Sequence, residues 1–215
     1  MRNQELLIAV CKEIKPLLNQ LVLVGGCATE LLITDKAAPS PRPTQDVDMI
    51  IDVISLSQYH DTEEELRKLG FTQTMDDQGL ICRWIKNDLI LDLIPTNEKV
   101  LGFTNRWYTY AMQHSQESNI DNILIHHISA PIFVATKLDA FDSRGHGDFF
   151  ASHDLEDLIS VIDGRDEIME EIRNTPNEVF SFPFFNNVFL NYSLTILLKR
   201  HCLDCYRPML LDKHG

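Results

Sequence analysis

Residues 21–26, LVLVGG, leave the chain few options. Four consecutive apolar residues closed by two glycines read as a short buried strand. Gly25 and Gly26 then supply a turn, and Ala28 to Ile33 begins a short helix. Upstream, Leu6, Leu7, Val10, Ile14 and Leu17 form a helical stripe that predicts a first helix ending near Asn19. Helix-like and strand-like apolar periods go on alternating to about residue 130, which predicts an α/β or α+β core.

The loop after the glycines carries Pro39, Pro41 and Pro43. Three prolines at alternate positions forbid a helix and exclude an inner strand. The next strand is expected from about Gln45. In DVDMIIDV, Val47, Met49, Ile51 and Val53 share one face, and Asp46, Asp48, Ile50 and Asp52 the other. A helix from about Ser57 to Leu69 follows, with Gly70 placed to end it. Three short strands, roughly 71–75, 80–86 and 88–94, then read as an antiparallel meander with DDQG and KND as turns. From Pro131 the pattern is helical: APIFVATKLDAF opens at a proline suited to a first turn, and SHDLEDLISVIDG runs from a polar cap to Gly164. The expected organisation is a core over 1–130 and a C-terminal helical subdomain over 131–215 that completes a cleft. The tail beyond Asn174 carries Phe180, Phe182, Phe184, Phe185 and Phe189, an aromatic content that predicts packing on the body or on a partner.

Charge narrows the function classes. Lys and Arg number 19 against 32 Asp and Glu, a net charge of -13, which repels polyanions and disfavours a broad nucleic-acid footprint. Any RNA contact has to use a local basic patch. No apolar run approaches the roughly 20 residues of a membrane span, and the first 18 residues lack the uninterrupted core of a signal peptide. A cytoplasmic protein is expected. Five cysteines at irregular spacings make no disulfide framework. The close pair Cys202 and Cys205 lacks a second pair for zinc.

The chemistry sits in three places. Asp46 and Asp48 lie two apart on a strand, so their carboxylates project from one face, close enough to share a hard divalent cation or simply to solvate a strand end. Asp92 interrupts LILDLI, a run otherwise suited to burial, where an unpaired carboxylate is costly unless a cation or hydrogen bonds compensate it. Gly25 and Gly26, without Cβ atoms, let backbone N–H groups approach a phosphate chain at a helix start, or make an ordinary tight connection.

Taken in order, LVLVGGCATELL, RPTQDVDMII and LILDLIPT resemble the nucleotidyltransferases of the DNA polymerase beta superfamily. GGCA, RPTQDVD, FVATKLDAF and SHDLEDL are more similar still to the AbiEii-type toxin nucleotidyltransferases, over roughly residues 20–170. The resemblance implies a nucleotidyltransferase fold, a mixed sheet flanked by helices. It implies Asp46, Asp48 and Asp92 as ligands of Mg²⁺, or of Mn²⁺ in its place, with Asp92 also helping to deprotonate the attacking hydroxyl. Gly25 and Gly26 would cradle the phosphates of a nucleoside triphosphate, though Cys27 offers no hydroxyl where the wider superfamily usually has Gly-Ser. Lys137, on residue pattern alone a solvated helix lysine, would hold the triphosphate. Asp154 would be the final motif aspartate, while its surroundings also fit a helix cap. Arg42 and Thr44, just before the paired acids, would bind phosphate or pin the proline loop. The implied acceptor is RNA, such as a tRNA end, in a toxin paired with a protein antitoxin. The acidic chain instead leaves room for a protein or a small hydroxylated acceptor, as in antibiotic-modifying superfamily members, or for a catalytically silent nucleotide-binding module.

Two further segments are two-sided, and a histidine pair is excluded as a metal site. Asn105, Arg106, Trp107 and Tyr108 combine base-stacking and phosphate-binding groups or form a packed turn. SRGHGDFF at 143–150 is a loop over the site or a surface linker. The adjacent His126 and His127 face opposite ways on a strand and cannot share a metal ion.

Overall fold

A computed structural model describes residues 2–75, 81–144, 152–176 and 179. Packing divides the chain into Met1–Asn174 and Thr175–Gly215. The phenylalanine tail, the DDQG turn and most of SRGHGDFF lie outside the described residues.

The first unit is built on a seven-stranded mixed sheet of order β3-β4-β5-β2-β1-β7-β6, with β1 at Leu21–Val24, β2 at Val47–Ile51, β3 at Thr72–Thr74, β4 at Arg83–Lys86, β5 at Leu89–Pro95, β6 at Gln116–Ile120 and β7 at Ile123–His127. The helices are α1 Asn3–Glu13, α2 Gly25–Leu32, α3 Leu56–Lys68, α4 Glu98–Leu101, α5 Tyr108–Gln113, α6 Ala130–Arg144, α7 His153–Gly164 and α8 Ile168–Asn174. This is the expected α/β class, and β3, β4 and β5 form the expected antiparallel meander.

The boundaries depart from expectation where backbone chemistry intervenes. The first helix stops at Glu13 and is replaced by a 3-10 helix over Lys15–Gln20. Pro16 stands at its start, where a missing N–H costs least. α2 begins at Gly25 rather than Ala28, so the two glycines form its first turn instead of a turn before it. β2 begins at Val47, two residues later than expected.

The centre of the sheet is buried on both faces. Val47, Met49, Ile50, Leu23, Leu91 and Leu93 are each at most 1% exposed, which a central strand between helices requires. α1 packs on α2 and on β2, β5 and β7. Tyr59 of α3 is fully buried and donates its hydroxyl hydrogen bond to the Leu93 carbonyl at 2.8 Å. Burial holds that phenol well above its ordinary pKa. On the other side of the sheet order, β6 and β7 form a hairpin whose turn residues Asp121 and Asn122 both have positive φ, as a type I′ connection demands.

His127 closes that hairpin. Its Nδ1 donates to the Ile128 carbonyl at 2.8 Å, and its Nε2 accepts from the Ser118 hydroxyl at 2.9 Å. This is the neutral tautomer, and burial above all pushes its pKa below 6.5. A depressed folded-state pKa means the unfolded chain binds the extra proton first, so stability present above pH 6.5 is lost as the pH falls. His127→Gln is therefore expected to be destabilising near neutrality, with the gap to wild type narrowing on acidification. Denaturant unfolding at stepped pH measures it; a gap that stays constant would dismiss the buried neutral histidine.

Candidate active site

Strand register assembles the site. β2 and β5 run parallel with Asp48 opposite Asp92, so the two carboxylates stand side by side on one face. Asp46, two residues earlier and just outside β2, follows on the same face by alternation. β1 runs antiparallel to β2 and ends with Val24 opposite Asp48. The next residue, Gly25, is thereby brought against that carboxylate. It has φ +66, and a Cβ there would fall 1.9 Å from Asp48 Oδ2. Only glycine permits both the turn and the approach.

Beside the carboxylates lies a cleft of about 320 Å³, lined by Gly25, Asp48, Asp92, Lys137 and Asp154 among others. Five of the nine residues implicated by the sequence meet there. Gly26, Arg42, Thr44 and Asp46 do not line it. Gly26 is buried beneath the proline loop, where a Cβ would meet Thr44 Oγ1 at 3.3 Å and Arg42 Nη2 at 3.4 Å. Thr44 donates its hydroxyl hydrogen bond to Asp46 Oδ1 at 2.8 Å, orienting the first acid. The loop is pinned by buried Asn3, whose Nδ2 donates to the Arg42 carbonyl at 2.9 Å and whose Oδ1 accepts from the Thr44 N–H at 3.0 Å.

Behind the cleft a charge cluster joins that loop to α6 and α7. Asp157 is 1% exposed. Its Oδ2 accepts from Arg42 Nη2 at 3.0 Å and from Lys137 Nζ at 2.7 Å. Arg42 Nε lies 2.8 Å from Oδ1, close for Coulomb attraction but outside hydrogen-bonding direction. Lys137 Nζ also donates to Asp154 Oδ1 at 3.1 Å. At 7% exposure Lys137 is not a solvated helix lysine. Ser152 caps α7 by accepting from the Leu155 N–H, which frees Asp154 for the lysine. Asp157 was not singled out by the sequence, although it shares the SHDLED motif; its period-three spacing from Asp154 was the available signal.

Arg83 is the other residue the sequence did not single out. It stands opposite Asp92 across the β4–β5 ladder. Its Nε donates to Asp92 Oδ1 at 2.9 Å, and its Nη2 donates to Asp92 Oδ2 at 2.7 Å and to Asp46 Oδ2 at 2.8 Å. A bidentate guanidinium is thus the compensation that a buried Asp92, 6% exposed, requires. Among the described residues, no three His, Cys, Asp or Glu side chains are gathered to hold a metal ion. The donor chemistry nevertheless fits a hard divalent cation: Asp48 and Asp92 share one register position, Asp46 adjoins them, and a guanidinium already stands in as a cation between Asp46 and Asp92.

The segment around Asn105 packs and lines at once. Asn105 Nδ2 donates to the Thr136 carbonyl at 3.1 Å, its Oδ1 accepts from the Trp107 N–H at 3.0 Å, and Arg106 pairs with Asp139 at 2.7 Å. Asn105 and Tyr108 line the cleft, together with Phe103, which the sequence did not single out. Cys27, buried behind the glycines, carries a thiol pushed up by burial and by Asp48 and Asp46, so it stays protonated.

No family model matches this chain, and no curated protein matches its sequence. Among solved structures, an antigenic nucleotidyltransferase-like protein from Paracoccidioides brasiliensis superposes with a TM-score of 0.55 at 20% identity, covering 92% of each chain. The chain has a nucleotidyltransferase-like fold. The antibiotic-resistance factor ANT(2'')-Ia is also similar, with a TM-score of 0.48 at 14% identity over 92% of this chain and 95% of that one. In its complex with adenylyl-2''-tobramycin the same factor superposes at 0.46 and 16% identity, over 78% and 90% of the two chains. No helix among the described residues is long and apolar enough to cross a membrane.

Proposed function

We propose that the chain moves a nucleoside monophosphate from a nucleoside triphosphate to an acceptor hydroxyl. The observation that carries this reading is the side-by-side placement of Asp48 and Asp92 in a cleft that Gly25 and Lys137 also line. Asp46, Asp48 and Asp92 would hold Mg²⁺ or Mn²⁺, which when bound supplies charge neutralisation at the phosphates. Gly25 opens α2 on the cleft, so N–H groups of the first helical turn, lacking intrahelical partners, favour an anionic phosphate. Lys137 adds positive charge at the same cleft. The acceptor's proton passes to the Asp92 carboxylate as its oxygen forms the new bond to the α-phosphorus, and the bond to the β-phosphate oxygen breaks to release pyrophosphate.

The lining bears on the acceptor. Asp139 and Asp154 join Asp48 and Asp92 around the cleft, with Arg106 on Asp139, Arg83 on Asp92 and Lys137 on Asp154, and the whole chain carries -13. That balance favours a small acceptor bearing amino groups over RNA. The AbiEii-type resemblance favours RNA, with a protein antitoxin as partner. Purified protein incubated with each labelled nucleoside triphosphate and Mg²⁺ is to be offered total RNA in one arm and polyamino alcohols in the other. Label is expected on the polyamino alcohol. Label on RNA would replace this acceptor with the toxin reading, and nucleotide binding without transfer to either would leave the silent binding module.

A further inference from the structure

Arg83 holds the acids that a cation would need. Three neighbouring strands align Arg83, Asp92 and Asp48 at one level of the sheet. Register fixes which residues are neighbours whatever the loops do, and leaves the Arg83 side chain able to release the acids by a change of rotamer. All four carboxylate oxygens of Asp46 and Asp92 accept a hydrogen bond from the protein, three from Arg83 and one from Thr44. The Arg83 and Asp92 side chains are 18% and 9% exposed, so the pair is poorly screened by water and salt. A planar guanidinium and a divalent ion compete for the same lone pairs and the same negative charge.

We propose that Arg83 is a built-in competitor for the divalent cation: it clamps Asp46 and Asp92 in the free protein and must leave them before the three acids close on metal. This rests on the reading that Asp46, Asp48 and Asp92 hold a divalent cation. The clamp has two consequences. It keeps the buried acids compensated when no nucleotide is present, so the fold does not depend on metal. It also sets the metal affinity of the free protein low, because loading includes the cost of releasing Arg83.

The test is Mn²⁺ titration followed by electron paramagnetic resonance, with thermal unfolding in parallel, on wild type, Arg83→Gln, Arg83→Lys and Asp48→Asn. Arg83→Gln is expected to bind Mn²⁺ roughly 5- to 150-fold more tightly than wild type, the range of ordinary site-to-site coupling. Without metal it should unfold at a lower temperature than wild type, and Mn²⁺ should raise its midpoint by more than it raises the wild-type midpoint. Arg83→Lys keeps the charge but loses the planar fork, so it is expected to fall between the two and carries the comparison if Arg83→Gln does not fold. Equal or weaker Mn²⁺ binding by the Arg83 variants, with wild-type binding lost in Asp48→Asn, would overturn the competitor alone. Absence of Mn²⁺ binding in every protein would overturn the metal site, and the competitor with it.

Discussion

Asp48→Asn is expected to slow nucleotide transfer by about 10³-fold or more, the scale of several kcal/mol of lost transition-state stabilisation, while the unfolding midpoint stays close to that of wild type. The amide keeps the volume of the carboxylate beside Gly25, where contact is already close, so the packing that positions α2 survives. What is lost is the negative charge at the register position shared with Asp92. Asp92→Asn is a less clean experiment, because it also strips the bidentate partner from Arg83. Steady-state rates with each nucleoside triphosphate, set against thermal unfolding of the same samples, measure the effect. If Asp48→Asn kept more than about a tenth of the activity, worth less than about 1.4 kcal/mol, the carboxylate would not be a metal ligand.

The parts of this site legible in the sequence are those fixed by local chemistry. A glycine pair after an apolar strand, two acids in alternation and one acid inside LILDLI each announce themselves within a few residues. They stand on or beside β1, β2 and β5, although the glycines open α2 instead of forming a turn before it and Asp46 lies just outside β2. Arg83 was not legible because its role is made by pairing. In CRWIK it is one basic residue in a short strand, and only the β4–β5 register sets it opposite Asp92. Asp157 was hidden for another reason. SHDLED also fits a helix cap, and Ser152 does cap α7, so the local pattern was satisfied without the buried acid. Of the β6–β7 hairpin only the strand at His126 and His127 is legible, because QESNI has the polarity of a loop; it is an edge strand with mostly exposed residues, which charge and polarity protect from mispairing.

Asp157 carries the largest expected effect on stability. It is 1% exposed and lies between the guanidinium of Arg42 and the ammonium of Lys137. Asp157→Ala leaves both cations in place with Asp154 still paired to Lys137, so the uncompensated charge falls chiefly on Arg42. Breaking one side of such a buried cluster costs about 3–5 kcal/mol, which for a chain of this size lowers the unfolding midpoint by roughly 6–20 °C. The loss extends to function, because Arg42 belongs to the loop that Asn3 holds in front of Asp46. Pairing Asp157→Leu with Arg42→Met removes both charges and is expected to recover much of the stability without restoring the hold on the loop. Denaturant unfolding of Asp157→Leu, Arg42→Met and the double variant gives the coupling directly. A single-variant cost below about 1 kcal/mol would match an exposed pair and would mean that water, not Asp157, compensates Arg42.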